Sequence, residues 1–287
     1  MRVVIIYNPN STGNGKANAQ ELAKELRKYD VSVLIRKTTH PGHGAEIAES
    51  YARRNEEIVL ISSSGDGGYH EVINGALLHK TSKLVVGVLP SGNANDHYTA
   101  IGTGSLVDSI RLKKFRSIDT IRITSTIKGK PWVRYAHSYA GIGITARAAK
   151  DLIEERPNVF TEKWIIVRSL FSIHYAKIKE KNDTNRYSSL VFSNIYKMSK
   201  VMKLSEVASV TDGKFEVAGI RFRSKLRLIL HLLTAATVGL KNSPSVKRYE
   251  FKTIPALPIQ LDGEVYTLDK NSAVKVEAMR RNLRCVL

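Results

Sequence analysis

The first 115 residues alternate between short apolar runs that predict strands and amphipathic patterns that predict helices. Such alternation is typical of an α/β fold, in which helices cover both faces of a parallel sheet. We predict strands at Arg2–Asn8, Val31–Lys37, Glu57–Ile61 and Leu84–Leu89, and helices at Ala17–Lys28, His43–Arg54, after Gly68, and at Ser105–Lys113. Ligands bind such sheets at the carboxyl ends of the strands, so the loops that follow the strands are candidate sites.

The segment from Ser64 to Gly75, with a predicted loop at Ser64–Gly68, is the most informative of these regions. Its glycines follow the apolar run Ile58–Ile61 and lead into a helical pattern. Residues without a Cβ let the backbone approach a ligand, and the unpaired amides at a helix start attract anions. A nucleotide phosphate fits such a loop, and Asp66 could hold a metal ion that screens it. The alternative is a strand-to-helix turn whose glycines serve geometry alone.

The pattern changes after Ser117 to short runs rich in Ile, Val, Thr and Tyr. This pattern predicts a second, mainly β domain with one or two helices, of which Thr161–Glu180 is the clearest. We therefore predict a nucleotide-binding α/β domain at residues 1–116 and a second domain at residues 117–276. The tail, residues 277–287, is expected to pack back on the first domain.

The formal net charge of +19 must attract something negative. Nucleic acid is the least favoured partner, since no zinc-finger spacing, RNP-like motif or helix-turn-helix pattern occurs. Basic residues beside apolar ones, in Arg221–Lys252 and Trp164–Lys181, favour peripheral contact with an anionic membrane. A solvated basic face is the alternative for any single cluster. The apolar stretch Leu226–Leu240 contains Arg227 and predicts a helix rather than a membrane span.

The single cysteine, Cys285, cannot form an internal disulfide, which suits a reducing compartment. The chain runs from Met1 directly into a strand-like segment without a signal-peptide pattern. We expect a cytoplasmic protein that associates with membranes peripherally.

Six short motifs follow one another along the chain: Asn8–Gly13, Thr38–His43, Gly65–Gly75, Leu89–Asp96, Ala208–Phe215 and Leu261–Glu264. In this order they resemble the diacylglycerol kinase catalytic family of lipid kinases, which includes sphingosine kinases and bacterial diacylglycerol-kinase-like proteins. The resemblance covers nearly the whole chain. It implies a Rossmann-like nucleotide-binding domain, a β-sandwich domain, and ATP-dependent phosphorylation of a lipid hydroxyl in the cleft between them.

The same resemblance implies site residues in this chain. It places ATP contacts on Asn8, Pro9, Asn10, Ser11, Gly13, Thr38, Gly65, Asp66, Gly67, Gly68, Tyr69, His70, Glu71, Asn93 and Asp96. It places Mg²⁺ near Asp212, with backbone oxygens of Ser209 and Lys214 as further ligands. Asp66 and Asp96 would join this magnesium and water network, and Asp66 counts among the catalytic residues.

The general base is expected in Asp262-Gly263-Glu264, with Glu264 slightly preferred over Asp262. Taken alone, this tripeptide also predicts a hairpin turn with exposed carboxylates. The pair Asp212-Gly213 predicts either a turn or a metal ligand. His70 and Glu71 have two open interpretations, helix capping with packing or direct ligand contact.

Several positions depart from the family pattern. The family loop usually begins Gly-Gly-Asp-Gly-Thr, whereas this chain has Ser64 and Gly68 at the outer positions. Gly68 lacks a hydroxyl that could donate to phosphate, and Asn93 replaces the usual threonine. Thr145 and the segment Tyr196–Lys200 also differ, so the identity of the lipid is more open than the binding of ATP.

The predicted function is an ATP-dependent lipid kinase that acts on a diacylglycerol-like or sphingoid hydroxyl at a membrane surface, with an implied place in phospholipid biosynthesis. The expected partners are the lipid substrate, an anionic membrane and, as a candidate, a second copy of the chain. The alternative is a non-catalytic nucleotide- or lipid-binding homologue. An NAD kinase is a third candidate, but Pro90–Asp96 and the late Asp-Gly-Glu argue against it.

Overall fold

The computed structural model of the 287-residue chain describes residues 1–9, 13–79, 83–91, 97–98, 104–155, 175–195, 197–198, 202–203, 209–222 and 243–286. The chain divides into two compact units. Unit 1 comprises Met1–Asp119 with Arg280–Leu287, and unit 2 comprises Thr120–Met279.

Unit 1 alternates strands and helices. Its elements are β1 (Arg2–Tyr7), α1 (Gly15–Arg27), β2 (Ser32–Lys37), α2 (His43–Ala52), β3 (Ile58–Ser64), α3 (Asp66–Ala76), β4 (Leu84–Pro90) and α4 (Leu106–Arg111). The four strands are parallel and stand in the order β4-β3-β1-β2. The end of the last strand pairs in parallel with β4, where Cys285 lies opposite Val86.

The helices of unit 1 form because their apolar residues recur on one face. In α1, Ala19, Leu22, Ala23 and Leu26 are buried at the i, i+3, i+4 and i+7 spacing. Burying a leucine side chain stabilises the fold by about 1.5–3 kcal/mol relative to exposing it. Helices α2 and α3 pack so closely that a Cβ on Gly75 would collide with the backbone of Ala45. The Asn-Gly pair that ends the phosphate-loop motif thus has a packing reason for its glycine.

Unit 2 is mainly β. The remaining elements are β5 (Phe115–Ile127), β6 (Lys130–Ala136), β7 (Tyr139–Gly143), α5 (Ile144–Glu155), β8 (Ala176–Glu180), β9 (Asp183–Ser193), β10 (Lys197–Met198), β11 (Met202–Lys203), β12 (Phe215–Arg221), β13 (Ser245–Val246), β14 (Arg248–Thr253), β15 (Leu257–Leu261), β16 (Glu264–Leu268) and β17 (Ala273–Val286). Strands β16, β15, β7, β9, β8, β14 and β17 are neighbours in that order, and their pairings are antiparallel. Phe192, Phe215 and Phe251 lie at the centre of the apolar core of this unit.

The predicted fold class is confirmed: an N-terminal α/β region with a parallel sheet precedes a mainly β region. One predicted element is wrong in part, because Ala176–Glu180 forms strand β8 instead of the end of a helix. In β8, Ala176 and Ile178 are buried while Lys179 is exposed, a period-two pattern that matches a strand. The rest of that predicted helix, and the predicted helix at residues 226–240, lie outside the described residues. Within the described part of the chain, no helix has both the length and the apolar character needed to cross a bilayer.

Candidate active site

The loops of unit 1 that carry the predicted phosphate and nucleotide contacts begin at one edge of its sheet. Tyr7, the last residue of β1, lies opposite Lys37 of β2 and Ser63 of β3, and Ser64 lies opposite Pro90 of β4. The strands are parallel, so their carboxyl ends meet at this edge. The segments that start at Asn8, Thr38, Gly65 and Ser91 therefore leave the sheet side by side.

A network of hydroxyl groups connects these segments. The Ser63 hydroxyl donates to the Gly15 carbonyl oxygen over 2.8 Å and lies 3.1 Å from the Ser91 hydroxyl. The Asn18 amide donates to the Ser91 hydroxyl over 2.8 Å, and the Ser91 backbone N–H donates to the Ser64 carbonyl oxygen. The starts of helix α1 and of the segment after β4 are thus bonded to the end of β3. Such contacts pre-organise the backbone, so ordering it costs a ligand less binding free energy.

The turn between β3 and α3 is shorter than predicted. Strand β3 continues through Ser64 and α3 begins at Asp66, which leaves Gly65 alone between them. The predicted loop at Ser64–Gly68 is wrong in this respect, because Asp66, Gly67 and Gly68 already belong to the first turn of the helix. The first N–H groups of an α-helix have no acceptor within the helix and favour an anion. Asp66 lies in this turn and is 7% exposed.

Ser64 and Gly68 share one small volume. The Ser64 hydroxyl is 2.7 Å from the Ser62 hydroxyl and donates to the Gly65 carbonyl oxygen over 3.0 Å. A Cβ added to Gly68 would lie 2.5 Å from the Ser64 oxygen and 2.7 Å from the Ser64 Cβ. The serine hydroxyl therefore occupies the space that a side chain at position 68 would need, and the two departures from the family pattern are physically linked.

Glu71 holds the segment after β2 in place. Its two carboxylate oxygens accept the backbone N–H groups of Gly42, over 2.8 Å, and of Gly44, over 3.0 Å. Gly42 is the N-cap of α2, so the carboxylate satisfies free amides at a helix start and interacts favourably with the helix dipole. Of the two interpretations of Glu71, the structure shows capping, and the capped helix is α2.

Tyr69 and His70 are buried in the packing around α3, at 0% and 1% exposure. The Tyr69 hydroxyl lies 3.6 Å from the Cys285 sulfur, and burial raises the pKa of this thiol to about 12 although the hydrogen bond from Tyr69 acts in the opposite direction. The Asn74 amide donates to the His70 carbonyl oxygen over 3.0 Å. Both side chains thus have packing roles, and their contact with ATP stays a prediction.

The other predicted ATP contacts fall into two groups. Asn8, Pro9 and Gly13 are exposed beyond β1, and Thr38 is buried with its N–H donating to the Tyr7 carbonyl oxygen over 3.0 Å. Asn10, Ser11, Asn93 and Asp96 lie outside the described residues.

In unit 2, the two carboxylates of the Asp-Gly-Glu motif have opposite environments. Asp262 and Gly263 form the two-residue turn between β15 and β16, with φ angles of 49° and 100°. The Asp262 side chain has 0% exposure. It accepts the backbone N–H groups of His137 over 2.9 Å, Ser138 over 2.9 Å and Tyr139 over 3.0 Å. This carboxylate thereby holds the connection between β6 and β7 against the turn.

Glu264 begins β16 and is partly exposed. It lies near Tyr266, whose pKa is raised first by burial and then by the negative charge of Glu264, while Arg134 acts in the opposite direction. The Tyr266 ring centre is 5.0 Å from that of Trp132. A partly exposed carboxylate among aromatic side chains can accept a proton from a ligand hydroxyl, which a fully buried carboxylate cannot reach.

The predicted magnesium segment forms a tight turn before β12. One carboxylate oxygen of Asp212, which is exposed, accepts the Lys214 backbone N–H over 2.9 Å. Nearby Glu216 is 4% exposed, and its pKa is raised first by burial and also by the charge of Asp212. In the part of the chain that the structure describes, no three His, Cys, Asp or Glu side chains cluster as a metal site. One carboxylate with backbone oxygens and water still fits Mg²⁺, which usually keeps several waters.

Comparison with known proteins matches residues 2–123 to the diacylglycerol kinase catalytic domain. The matched range contains every element of unit 1 except the end of β17, and the predicted resemblance is confirmed. The predicted enzyme class, a lipid kinase, is the class of this domain and of the relatives below.

Two curated relatives extend the match. YtlR of Bacillus subtilis (strain 168), provisionally named a lipid kinase, is 28% identical in an alignment of 277 residues that covers 88% of this chain and 89% of that protein. The diacylglycerol kinase of the same organism is 33% identical over 104 residues, which is 35% of this chain and 33% of that protein. The second match thus spans only about a third of its relative.

A solved structure shares the fold along almost the whole chain. A diacylglycerol kinase from Bacillus anthracis str. Sterne aligns with a TM-score of 0.71 at 14% identity, covering 99% of this chain and 96% of the other. At this identity the likeness concerns the fold.

Sequence reasoning missed the bonded set of Ser63, Ser91 and Asn18. The signal was present in the serine run Ser62–Ser64, which directly follows the apolar residues of β3. All three serines are buried, and hydroxyls there must find partners nearby.

Proposed function

We propose that this chain is an ATP-dependent lipid kinase that transfers the γ-phosphate of ATP to a lipid hydroxyl. The observation that carries the proposal is the edge of the unit 1 sheet, where hydroxyl groups bond the starts of three loops beside the first turn of α3. Backbone amides held in this way suit the phosphates of a nucleotide. The catalytic domain that contains this edge is that of a lipid-kinase family.

In this proposal the residues of unit 1 bind ATP. The amides at the start of α3 would hold the phosphate groups, and Glu71 would keep the segment after β2 in its binding position through Gly42 and Gly44. Asp66 would act in the magnesium and water network around the phosphates. Phosphoryl transfer depends mainly on such positioning and charge neutralisation.

Glu264 is the proposed general base. It would accept the proton of the lipid hydroxyl as the oxygen attacks the γ-phosphate. We prefer it to Asp262, because three backbone N–H groups occupy the Asp262 carboxylate and its side chain is fully buried. Asp262 would then support the turn that presents Glu264.

Magnesium would bind at Asp212, with backbone oxygens of Ser209 and Lys214 and with water. The hydrogen bond from the Lys214 N–H fixes one oxygen of the Asp212 carboxylate, so the other can serve as a ligand. The ion would screen the negative charge of the phosphates.

The substrate is proposed to be a diacylglycerol-like or sphingoid lipid, which requires the protein to visit a membrane. The net charge of +19 supports peripheral contact with anionic lipids. The same proposal includes a cytoplasmic location, reversible membrane contact, assembly as a homodimer and a place in phospholipid biosynthesis.

The experiment offers Mg-ATP labelled on the γ-phosphate together with diacylglycerol, sphingoid base or phosphatidylglycerol in anionic vesicles, and identifies labelled products by mass spectrometry. We expect one labelled lipid, which is lost in Asp66→Ala and retained in Asp108→Ala, a matched change at an exposed aspartate of α4. Both variants are first checked for ATP binding and for their unfolding temperature. Tight ATP binding without label in any lipid would contradict the proposal and favour a non-catalytic homologue. In a parallel reaction that offers NAD instead of lipid, label in NADP would indicate an NAD kinase.

A further inference from the structure

The outer face of strands β8, β14 and β17 in unit 2 carries an excess of lysine side chains. Alternation along the strands brings exposed residues to this face, while Ile178, Phe251 and Val274 point into the core. The basic face consists of Lys177, Lys179, Lys181, Arg186, Lys252 and Lys275. The acidic residues on the same strands already have partners: Glu250 bonds to Arg248, Glu277 accepts a 2.8 Å bond from Arg122, and Glu180 accepts a 2.9 Å bond from the Tyr187 hydroxyl.

Pairing across the strands places like charges directly opposite one another. Lys252 of β14 lies opposite Lys179 of β8, and Lys177 of β8 lies opposite Arg186 of β9. Side chains opposite each other in an antiparallel pair are about 4.5–5.5 Å apart at Cβ, and like charges at this distance destabilise the sheet. Two such pairs on one face cost stability, and an anionic partner would remove the repulsion.

The lysines also border an open groove of about 350 Å³, lined by Lys179, Lys181, Lys252 and Lys275 around Glu250 and Phe251. Within the described residues, no salt bridge or hydrogen bond holds the ammonium groups of Lys179, Lys181 or Lys252. They are therefore available to a partner. Lysine is a compact, mobile point charge, which suits a diffuse layer of anionic groups better than a single fixed ligand.

We propose that the basic face is the surface with which this protein docks on an anionic lipid bilayer. The choice of a bilayer as the partner rests on the proposed function, since a lipid kinase must reach its substrate there. Nucleic acid fits less well, because proteins that bind single strands stack bases on aromatic side chains, and Phe251 beneath the lysines is buried at 5% exposure. Lysines near an anionic membrane each strengthen binding by about fivefold.

The experiment measures sedimentation of the full chain with vesicles of phosphatidylcholine alone or mixed equally with phosphatidylglycerol. The test variant combines Lys179→Gln, Lys181→Gln, Lys252→Gln and Lys275→Gln. The control variant combines Lys24→Gln, Lys114→Gln, Lys130→Gln and Lys270→Gln, which are exposed lysines elsewhere. Both variants have the same net charge, so any difference between them reports the location of the charge.

We expect the parent chain to bind only the anionic vesicles, the test variant to lose affinity by roughly several hundredfold, and the control variant to lose much less. Equal losses of vesicle affinity in the two variants would overturn the proposal, as would a parent chain that does not bind anionic vesicles. The proposal would also be overturned if the parent chain bound a single-stranded oligonucleotide more tightly than anionic vesicles and the test variant lost that binding. Lys252→Gln alone should raise the unfolding temperature at low salt, because it removes one repulsive pair. The same measurement on the test variant checks that it is folded.

Turnover of a short-chain diacylglycerol dispersed in neutral detergent separates this inference from the proposed function. We expect the test variant to phosphorylate this acceptor at the rate of the parent chain. If neither protein phosphorylates the acceptor while vesicle binding follows the expected pattern, the proposed function is wrong and docking through the basic face is supported. If the acceptor is phosphorylated but the test variant still binds vesicles like the parent, docking through the basic face is wrong and the proposed kinase function is supported.

Discussion

The two units organise their polar groups in different ways. At the edge of the unit 1 sheet, side chains bond to one another across loops, as Ser63 does to Ser91 and Asn18 does to Ser91. In the Asp-Gly-Glu turn of unit 2, the Asp262 carboxylate accepts three backbone N–H groups, whereas Glu264, two residues later, is partly exposed. Side-chain hydrogen bonds thus order backbone segments in unit 1, whereas the turn in unit 2 buries one carboxylate and leaves the other partly exposed.

This difference shows that membership of a motif does not decide what a residue does. Asp262 and Glu264 stand in one tripeptide, but the hydrogen bonds of the buried Asp262 hold the structure, whereas the partly exposed Glu264 is the proposed reacting group. The same holds for Glu71, whose motif is associated with ATP but whose carboxylate caps helix α2. The predictions below test this separation between supporting and reacting groups, beginning with the largest effect.

Asp262→Ala should destabilise the protein most. It leaves three buried backbone N–H groups without an acceptor, at about 1–3 kcal/mol for each. We expect the free energy of unfolding to fall by roughly 3–5 kcal/mol, measured by urea denaturation. Asp262→Asn should lower the free energy of unfolding by less, because asparagine keeps one acceptor oxygen and tolerates the positive φ. Asp183→Ala, at an exposed aspartate of β9, is the control. Loss of phosphate transfer at the stability of the parent chain would instead make Asp262 a reacting group.

Gly68→Thr should have the next largest effect. The new Cβ would collide with the Ser64 hydroxyl, and overpacking of this kind costs typically about 1–3 kcal/mol. Ser64→Gly in the same chain should restore most of the loss, since it clears the space. A double-mutant cycle with the two single variants, measured by thermal unfolding, gives the coupling energy. Simple additivity of the two changes would show that the positions are independent.

Glu71→Gln should have the smallest effect on stability. A glutamine places an amide NH₂ against one of the glycine N–H donors, so one of the two hydrogen bonds loses its acceptor. We expect a drop of about 1 kcal/mol in stability, and a larger proportional rise in the KM for ATP than fall in kcat. Glu56→Gln, at an exposed glutamate, is the matched control. An unchanged KM would show that the segment after β2 does not serve ATP binding.

The sequence predicted unit 1 well because its strands are apolar and its helices amphipathic over lengths that periodicity can detect. The predicted helix Ala17–Lys28 is α1 (Gly15–Arg27), and the predicted strand Leu84–Leu89 is β4. The end of β3 was missed because Ser62–Ser64 have no apolar pattern. They stay in the strand because both faces are covered and their hydroxyls find partners.

The surroundings of the candidate site could not be predicted in the same way. The three N–H groups that bind Asp262 come from residues 137–139, which lie more than 120 positions earlier in the chain. Only the three-dimensional pairing of β15 with β7 brings them together. The strand Ala176–Glu180 was mistaken for helix because its short alternation is hidden at the end of a longer helical pattern. Local patterns therefore predict elements and motifs, whereas the division of roles within a motif depends on distant partners.

The most direct test of the account compares phosphate transfer by Glu264→Gln and by the parent chain, using the lipid that the parent labels. Gln keeps the size of the side chain but cannot accept the proton. We predict a loss of transfer of about a hundredfold to ten-thousandfold, with ATP binding and the urea midpoint unchanged. Transfer by Glu264→Gln at the rate of the parent chain would contradict the assignment of the base and the separation of roles on which the account depends.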